Sequence, residues 1–454
     1  MKNYSMKPTE ENVLELLQKD PIGRYQSVLR FIKLLSCMED DCYSIAVNGE
    51  WGSGKTFFIK QVKLILDAYN PQSSLDSGIR EVVSKLKQDD FDYPESYTTV
   101  YYDAWANDNQ TDPILSLIYA TISSHQSDFE PSRRHAVGET VAAIANKITG
   151  QDVSSILSSF LGVDRLEEVK ETAGIRELVN DFVDALIQEH GNRLIFFIDE
   201  LDRCKPDYAI RFLERIKHYF DDERVTFVFS VSLSQLQWTV KSYYGTEYNA
   251  TRYLDKFFDL RLSLPRIDYD RFLRNRLEMN TTAIYDKVCI ETAKYFDFSL
   301  REVERYIRVV KIARKAAMSI SSGFSEHNAS LFSVTCVVPI VLGLQMFDME
   351  AYGKFISGED STPMLDILLK PNIDRFMSLL KTRDEELEDV SNDVGRDTAS
   401  IKDRLRRVYA ALFGKTHDFG LYGTTIGEMR FSEETRRIVA EIAALLSPMS
   451  DYDF

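Results

Sequence analysis

Two hydrophobic rhythms alternate along the chain. Short apolar runs bounded by turn residues stand at 43–48, 97–102, 193–200, 225–231 and 257–264, and they predict strands. Between them, apolar residues recur three and four apart. Examples are Val28, Leu29, Ile32 and Leu35 within 20–35, and Phe58, Val62, Ile65 and Leu66 after the first strand. Further helical patterns fall at 113–124, 171–189, 207–221 and 234–244. Strands separated by helices predict an α/β fold with a five-stranded, mostly parallel sheet. The run at 193–198 is continuously apolar, as a strand buried on both faces should be.

Beyond Asp268 the strand signals fade. Helical patterns at 269–279, 282–296, 299–318, 362–380, 399–412 and 433–446 predict an α-helical lid and C-terminal domain, so the expected division is 1–268 and 269–454. Residues 383–393 form an acidic break between helices. Within the first part, 127–165 turns rich in Ser, Ala and Gly and reads as an insertion between core strands. The uncharged run 329–347 is long enough to span a bilayer. Its Ser330, Ser333, Thr335, Pro339, Gly343 and Gln345 would be costly in lipid, which favours buried helices.

Charge narrows the partners. With 55 basic against 71 acidic residues the net charge is -16, which argues against a general nucleic-acid or anionic-membrane binder. The five cysteines form no C-x-x-C pair and no His cluster has metal spacing, so reduced thiols in a cytoplasm are expected. The opening residues are polar and carry no apolar signal core.

The chemistry concentrates at the ends of two strands. The first runs into Gly49-Glu50-Trp51-Gly52-Ser53-Gly54-Lys55-Thr56, a G-x-x-x-x-G-K-T phosphate-binding loop followed by a helix. Glycines let backbone N–H groups curl round a phosphate, and the helix turns its positive end to the anion. Lys55 would reach the β and γ phosphates, and the Thr56 hydroxyl would ligate Mg²⁺. The third strand ends in Asp199-Glu200, followed by Leu201-Asp202-Arg203. In this Walker B pattern Asp199 would hold Mg²⁺ and Glu200 would polarise the attacking water. Ser232, after the fourth strand, stands where a γ-phosphate sensor can sit, although a serine ending a strand is commonplace.

These residues resemble the KAP family of P-loop NTPases. The resemblance rests on Asp20-Pro21-Ile22-Gly23, the phosphate loop with its Trp51, Asp103-Ala104-Trp105, Ile198 to Cys204, Tyr253-Leu254-Asp255-Lys256 and Ser299 to Arg305. It implies an ATPase acting as a conformational switch or assembly platform, with a homo-oligomer or a separate effector protein as partner. For bacterial members it implies a role in anti-phage defence. Many members carry transmembrane helices between the Walker motifs. Here that place holds Arg133, Arg134, Glu139, Lys147 and Asp152, so a soluble, cytoplasmic member is expected. Members usually have an acidic residue where Ser232 stands.

Three arginines compete to complete the site. Arg301 matches a sensor on a helical lid, Arg252 an arginine finger given to a neighbour, and Arg203 lies in the Walker B extension. Three other functions use the same loop: a small-molecule kinase, a scaffold in which ATP is structural, and a DNA-handling ATPase relying on the basic helix 301–315.

Overall fold

The computed structural model describes residues 7–38, 41–88, 91–94, 96–110, 112–125, 131–149, 174–190, 192–276, 283–320, 327–370, 373, 394–414 and 423–444. The chain divides into two compact units, one running to Arg266 and one starting at Ile267.

The first unit is built on a five-stranded parallel sheet with strand order β2-β3-β4-β1-β5. Its strands are β1 (Tyr43–Asn48), β2 (Tyr97–Asp103), β3 (Arg193–Asp199), β4 (Val225–Val231) and β5 (Leu260–Ser263). β3 and β4 are buried at every position, which accounts for their unbroken apolar sequence. Phe196 and Phe227 stack across them at 5.0 Å between ring centroids, and Phe229 meets Phe258 edge-on. β5 is shorter than the apolar run 257–264 because Phe257 still belongs to the turn leaving the preceding helix. The ladder nevertheless runs from Asp259, which bonds the Ser44 carbonyl, to Leu264, which bonds that of Asn48.

Helices α1 (Glu10–Lys19), α2 (Tyr25–Ser36), α3 (Lys55–Tyr69), α4 (Ser77–Ser84) and α5 (Pro113–His125) belong to this unit. So do α6 (Pro131–Thr149), α7 (Ile175–His190), α8 (Pro206–Tyr219), α9 (Leu233–Tyr244) and α10 (Ala250–Leu254). The apolar face read along α3 is its buried face: Phe58, Val62, Ile65 and Leu66 are all in the core. Two helices were not legible in the apolar pattern. α1 is short, capped by Thr9, and buries Val13, Leu16 and Leu17. α4, capped by Asp76, buries Val83 alone. Of the insertion read at 127–165, residues Pro131–Thr149 form a helix packed against α7, and 150–165 lie outside the described residues.

The second unit contains α11 (Tyr269–Arg276), α12 (Ile284–Tyr295), α13 (Leu300–Ile320), α14 (His327–Phe332), α15 (Val338–Phe347), α16 (Met349–Ile356) and α17 (Thr362–Leu368). It closes with α18 (Val394–Phe413), a hairpin of β6 (Thr424–Ile426) and β7 (Met429–Phe431), and α19 (Glu433–Ala444). The unit is helical as expected, with one antiparallel hairpin besides: strands of three residues are too short to show a period of two. The acidic break 383–393 lies outside the described residues. The apolar run 329–347 is the bundle's central helix, interrupted by a π-helical turn at Ser333–Val337 just before Pro339. It is the one helix among the described residues apolar and long enough to cross a membrane, and 72% of its apolar window is buried inside the fold.

Packing around that helix is close. A Cβ on Gly343 would come within 2.5 Å of Thr292 Cγ2 and 3.1 Å of Phe296 Cε2, so the glycine lets α15 approach α12. A Cβ on Gly353 in α16 would meet nothing within 4 Å. Gly343→Ala is therefore expected to destabilise the second unit by about 1–3 kcal/mol through overpacking. Gly353→Ala should stabilise it by about 0.4–1 kcal/mol through lost unfolded-state entropy. Denaturant midpoints of the two variants check this, and equal midpoints would show that the α12–α15 contact is slack.

Candidate nucleotide site

Strand register places the two motifs side by side. Asn48 at the end of β1 pairs with Val231, and Asp199 at the end of β3 pairs with Ser230, so β4 lies between them. In chain order the strand between the motifs is β2; in the sheet it is β4. The phosphate loop and the Walker B carboxylates thus stand two strand spacings apart, about 10 Å. That gap suits phosphate groups and a hard cation.

The loop 49–54 is shaped by its glycines. Gly52 and Gly54 have φ of 78° and 91°, where a side chain would be strained. A Cβ on Gly49 would lie 2.7 Å from Ser53 Oγ. Lys55 is buried at the first turn of α3, and its Nζ donates to the carbonyls of Gly49 at 2.6 Å and Glu50 at 3.2 Å. Burial pushes its pKa down, while Asp202, Glu200 and Asp199 oppose that shift. Ser53 Oγ is buried and has no hydrogen-bond partner among the described residues.

A buried arginine holds this loop. Asp20, with φ of 40°, accepts the backbone N–H groups of Arg24 and Tyr25 and so turns the chain into α2. Arg24, 5% exposed, then donates to the carbonyls of Ser53 at 2.7 Å and Pro265 at 2.5 Å. Burial brings its pKa down to about 10. Sequence reading quoted Asp20 to Gly23 but missed Arg24, the residue that this turn aims. An arginine directly after that turn was the available signal.

On the opposite side, Asp199 is buried at the end of β3 and accepts the Tyr101 hydroxyl at 3.0 Å. Burial pushes its carboxyl up, opposed by the hydroxyls of Ser230, Thr56 and Tyr101. Tyr101 was also missed: in β2 it reads only as a strand former. Glu200 follows with φ of 59°, an uncommon backbone state for a non-glycine residue and one found at functional positions. Its pKa is raised to about 7, first by burial and then by Asp199, with Arg203 and Lys55 opposing. Glu200 is ion-paired to Arg203 across one 3₁₀ turn.

The donor set fits a nucleotide with Mg²⁺. Glycine-bounded backbone, a buried lysine and the Ser53 hydroxyl suit phosphate oxygens. The Thr56 hydroxyl and the Asp199 carboxylate are oxygen ligands of the kind Mg²⁺ takes together with phosphates. Beside the loop, an apolar cavity of about 220 Å³ between α2, β1, α3 and β5 is lined by Ser27, Phe31, Val47, Phe58, Leu264 and Pro265. A second cavity, of about 550 Å³, touches Lys60, Asp67, Thr98 and Tyr101 beside edge strand β2, away from the phosphate loop.

Three further candidates lie on other elements, Ser232 directly after β4 and so next to the phosphate loop. Ser232 is buried as the N-cap of α9, with its hydroxyl 3.0 Å from that of Ser234. Arg252 is exposed on α10. Arg301 is exposed in the first turn of α13, in the second unit. Farther along α13, Arg308 and Arg314 face Glu304 and Asp286, each at 3.6 Å, so part of that helix's basic charge is locally compensated.

Comparison with curated proteins gives no match. Among solved structures the chain is similar to the Aeropyrum pernix ORC2 protein in its ADPNP-ADP complexes, at 11% identity and a TM-score of 0.32, covering 94% of each chain. It is similar also to the Aeropyrum pernix ORC1 protein in complex with DNA, at 15% identity and a TM-score of 0.32, covering 94% of this chain and 92% of that one. Likenesses this distant carry no functional argument. The sequence matches the KAP family P-loop domain over residues 25–317, more than half of its length. With the phosphate loop, the Walker B carboxylates and the intervening β4 all in place, the chain belongs to the KAP family of P-loop NTPases.

Proposed function

We propose that the first unit binds ATP with Mg²⁺ and hydrolyses it, and that the protein works as a conformational switch or assembly platform in the cytoplasm. The observation that carries this reading is the convergence of a glycine-shaped phosphate loop and a carboxylate pair, buried Asp199 and half-buried Glu200, on either side of β4. The loop N–H groups and Lys55 bind the β and γ phosphates. The apolar cavity under α2 takes the adenine base. Thr56 and Asp199 would hold Mg²⁺, which neutralises charge on the transferring phosphate. Glu200 accepts a proton from the attacking water as the bond to the γ-phosphorus forms, and ADP departs. Arg301 is our candidate for a further contact to the γ phosphate.

Electrostatics support the assignment. Burial drives Lys55, Asp199 and Glu200 each toward its neutral form. A ligand carrying both phosphate and a divalent cation stabilises all three ionised forms at once. A role in bacterial anti-phage defence, with a homo-oligomer or a separate effector as partner, follows from the family resemblance. The partial pairing of the basic charge on α13 weighs against the DNA-handling reading. The carboxylate pair favours water over a kinase's acceptor.

Lys55→Ala is expected to weaken ATP binding and abolish turnover, read by equilibrium titration and phosphate release. Glu200→Gln should keep ATP binding and slow hydrolysis by on the order of 10²-fold or more. Hydrolysis at the wild-type rate in Glu200→Gln would refute the base assignment and turn attention to Asp202. Chelation of Mg²⁺ should halt phosphate release reversibly; release that persists in excess chelator would remove the metal from the reading. A phosphorylated acceptor in place of free phosphate would favour the kinase.

A further inference from the structure

All three tryptophans of the chain stand at one place. Trp51, Trp105 and Trp238 are 48%, 53% and 66% exposed, and they line one open cavity of about 480 Å³ together with Asp202 and Arg203. Indole rings so exposed need a reason, and the first two have one in cis. The Arg203 guanidinium lies 5.6 Å from the ring centroid of Trp51 and 5.6 Å from that of Trp105, within cation–π range of both. The same side chain makes the ion pair with Glu200. Trp51 is tied down a second time: its Nε1 donates to Asp202 Oδ2 at 2.8 Å. Asp202 is 6% exposed and its other carboxylate oxygen has no hydrogen-bond partner among the described residues.

These contacts form one path from the phosphate loop to the carboxylate next to Asp199. Trp51 is part of the loop. It grips Asp202 and braces Arg203, and Arg203 holds Glu200. At the other end, Lys55 donates to the carbonyl of Glu50, the residue just before Trp51. A phosphate that draws Lys55 away from that carbonyl frees the Trp51 peptide to move. The Arg203–Glu200 pair is partly open to solvent, with side chains 23% and 24% exposed, so it can be exchanged for water.

We infer that Arg203 is a positioning residue that holds Glu200 out of its water-activating pose, and that Trp51 relays the state of the phosphate loop to it. This rests on Glu200 being the general base. An ion pair fixes where the Glu200 carboxylate points. Nucleotide binding shifts Trp51, loosens Arg203 and delivers Glu200 to the water. The bracing of Arg203 by two rings explains why the chain keeps indoles on its surface here. It also gives the arginine of the Walker B extension a role within its own chain, with no neighbouring subunit required.

The test uses the full chain with Trp105→Phe and Trp238→Phe, so that Trp51 is the only indole. Its emission is titrated with ADP and with a non-hydrolysable ATP analogue, with and without Arg203→Ala, and phosphate release is measured in the otherwise unchanged chain. The expected result is an emission change on nucleotide binding that Arg203→Ala removes. In steady state Arg203→Ala should raise kcat by up to roughly fivefold, the rate equivalent of one partly exposed ion pair, with little change in KM. Arg203→Lys should fall between the two, since it keeps the charge but loses the stacked plane. Arg203→Gln gives a second reading if alanine compromises folding. A kcat that drops as far as in Glu200→Gln, or an unchanged Trp51 emission in protein that has bound nucleotide, overturns the inference. If emission responds but no form of the protein releases phosphate, the hydrolytic reading fails while the Trp51 relay stands. If the wild type turns over and Arg203→Ala slows it, the restraint alone fails.

Discussion

The parallel register of β1, β4 and β3 is the constraint on which the rest of this structure depends. Because Asn48 and Asp199 pair with adjacent residues of β4, the phosphate loop and the Walker B carboxylates leave the sheet at one level and face one gap. A slip of one residue in either ladder would turn the buried side chains of β3 to the wrong face and carry Asp199 away from Thr56. The aromatic contacts across the middle of the sheet, Phe196 on Phe227 and Phe229 on Phe258, resist that slip with large apolar side chains. The core packing of the first unit and the spacing of its candidate site are therefore the same fact seen from two sides.

Much of this was legible in the sequence, and the failures share a cause. The strands showed because burial on both faces demands unbroken apolar runs. The phosphate loop showed because its backbone demands glycine at fixed places: Gly52 and Gly54 adopt the positive φ that the motif implies. Asp199 and Glu200 showed because the buried strand they end lies downstream of a phosphate loop; without that loop an Asp-Glu turn after a strand would be commonplace. Arg24 and Tyr101 did not show, since each acts through one long-range contact that leaves no period behind it: Arg24 to Ser53 and Pro265, Tyr101 to Asp199. The short helices α1 and α4 and the hairpin 424–431 escaped for a different reason. Each buries only a few side chains, too few to form a pattern along the chain. The arginines illustrate the same limit. Sequence ranked Arg203, Arg252 and Arg301 by motif position, and only contacts could show that Arg203 is engaged with Glu200 and two indoles.

Between them, the loop and the carboxylates concentrate ionisable groups that burial pushes toward neutrality. Such a cluster has a cost for the folded chain, because each group would be better solvated outside it. It persists where ligand charge offsets the loss, which is the sense in which a nucleotide site is a debt of the fold settled by its ligand. Arg24 shows the complementary device. Its charge is spread over two main-chain carbonyls and fixes the loop from behind without entering the space where phosphate would lie.

The central helix of the second unit carries a consequence for how the chain comes into being. Its apolar stretch Asn328–Phe347 is covered in part by α19, with Gln345 donating to the Ala443 carbonyl at 3.5 Å. α19 is encoded far downstream, after the hairpin, so on the ribosome the stretch emerges well before its cover. At translation speeds of roughly 5–20 residues per second it waits on the order of ten seconds. During that interval it has the length and hydropathy of a segment that an insertion machinery would accept. Pro339 and the scattered hydroxyls along it, which a packed bundle tolerates through contacts such as Tyr306 Oη to the Pro339 carbonyl, make it a poor cargo for that machinery. The polar residues in this otherwise apolar helix thus lower its preference for lipid over the interval before its cover is made.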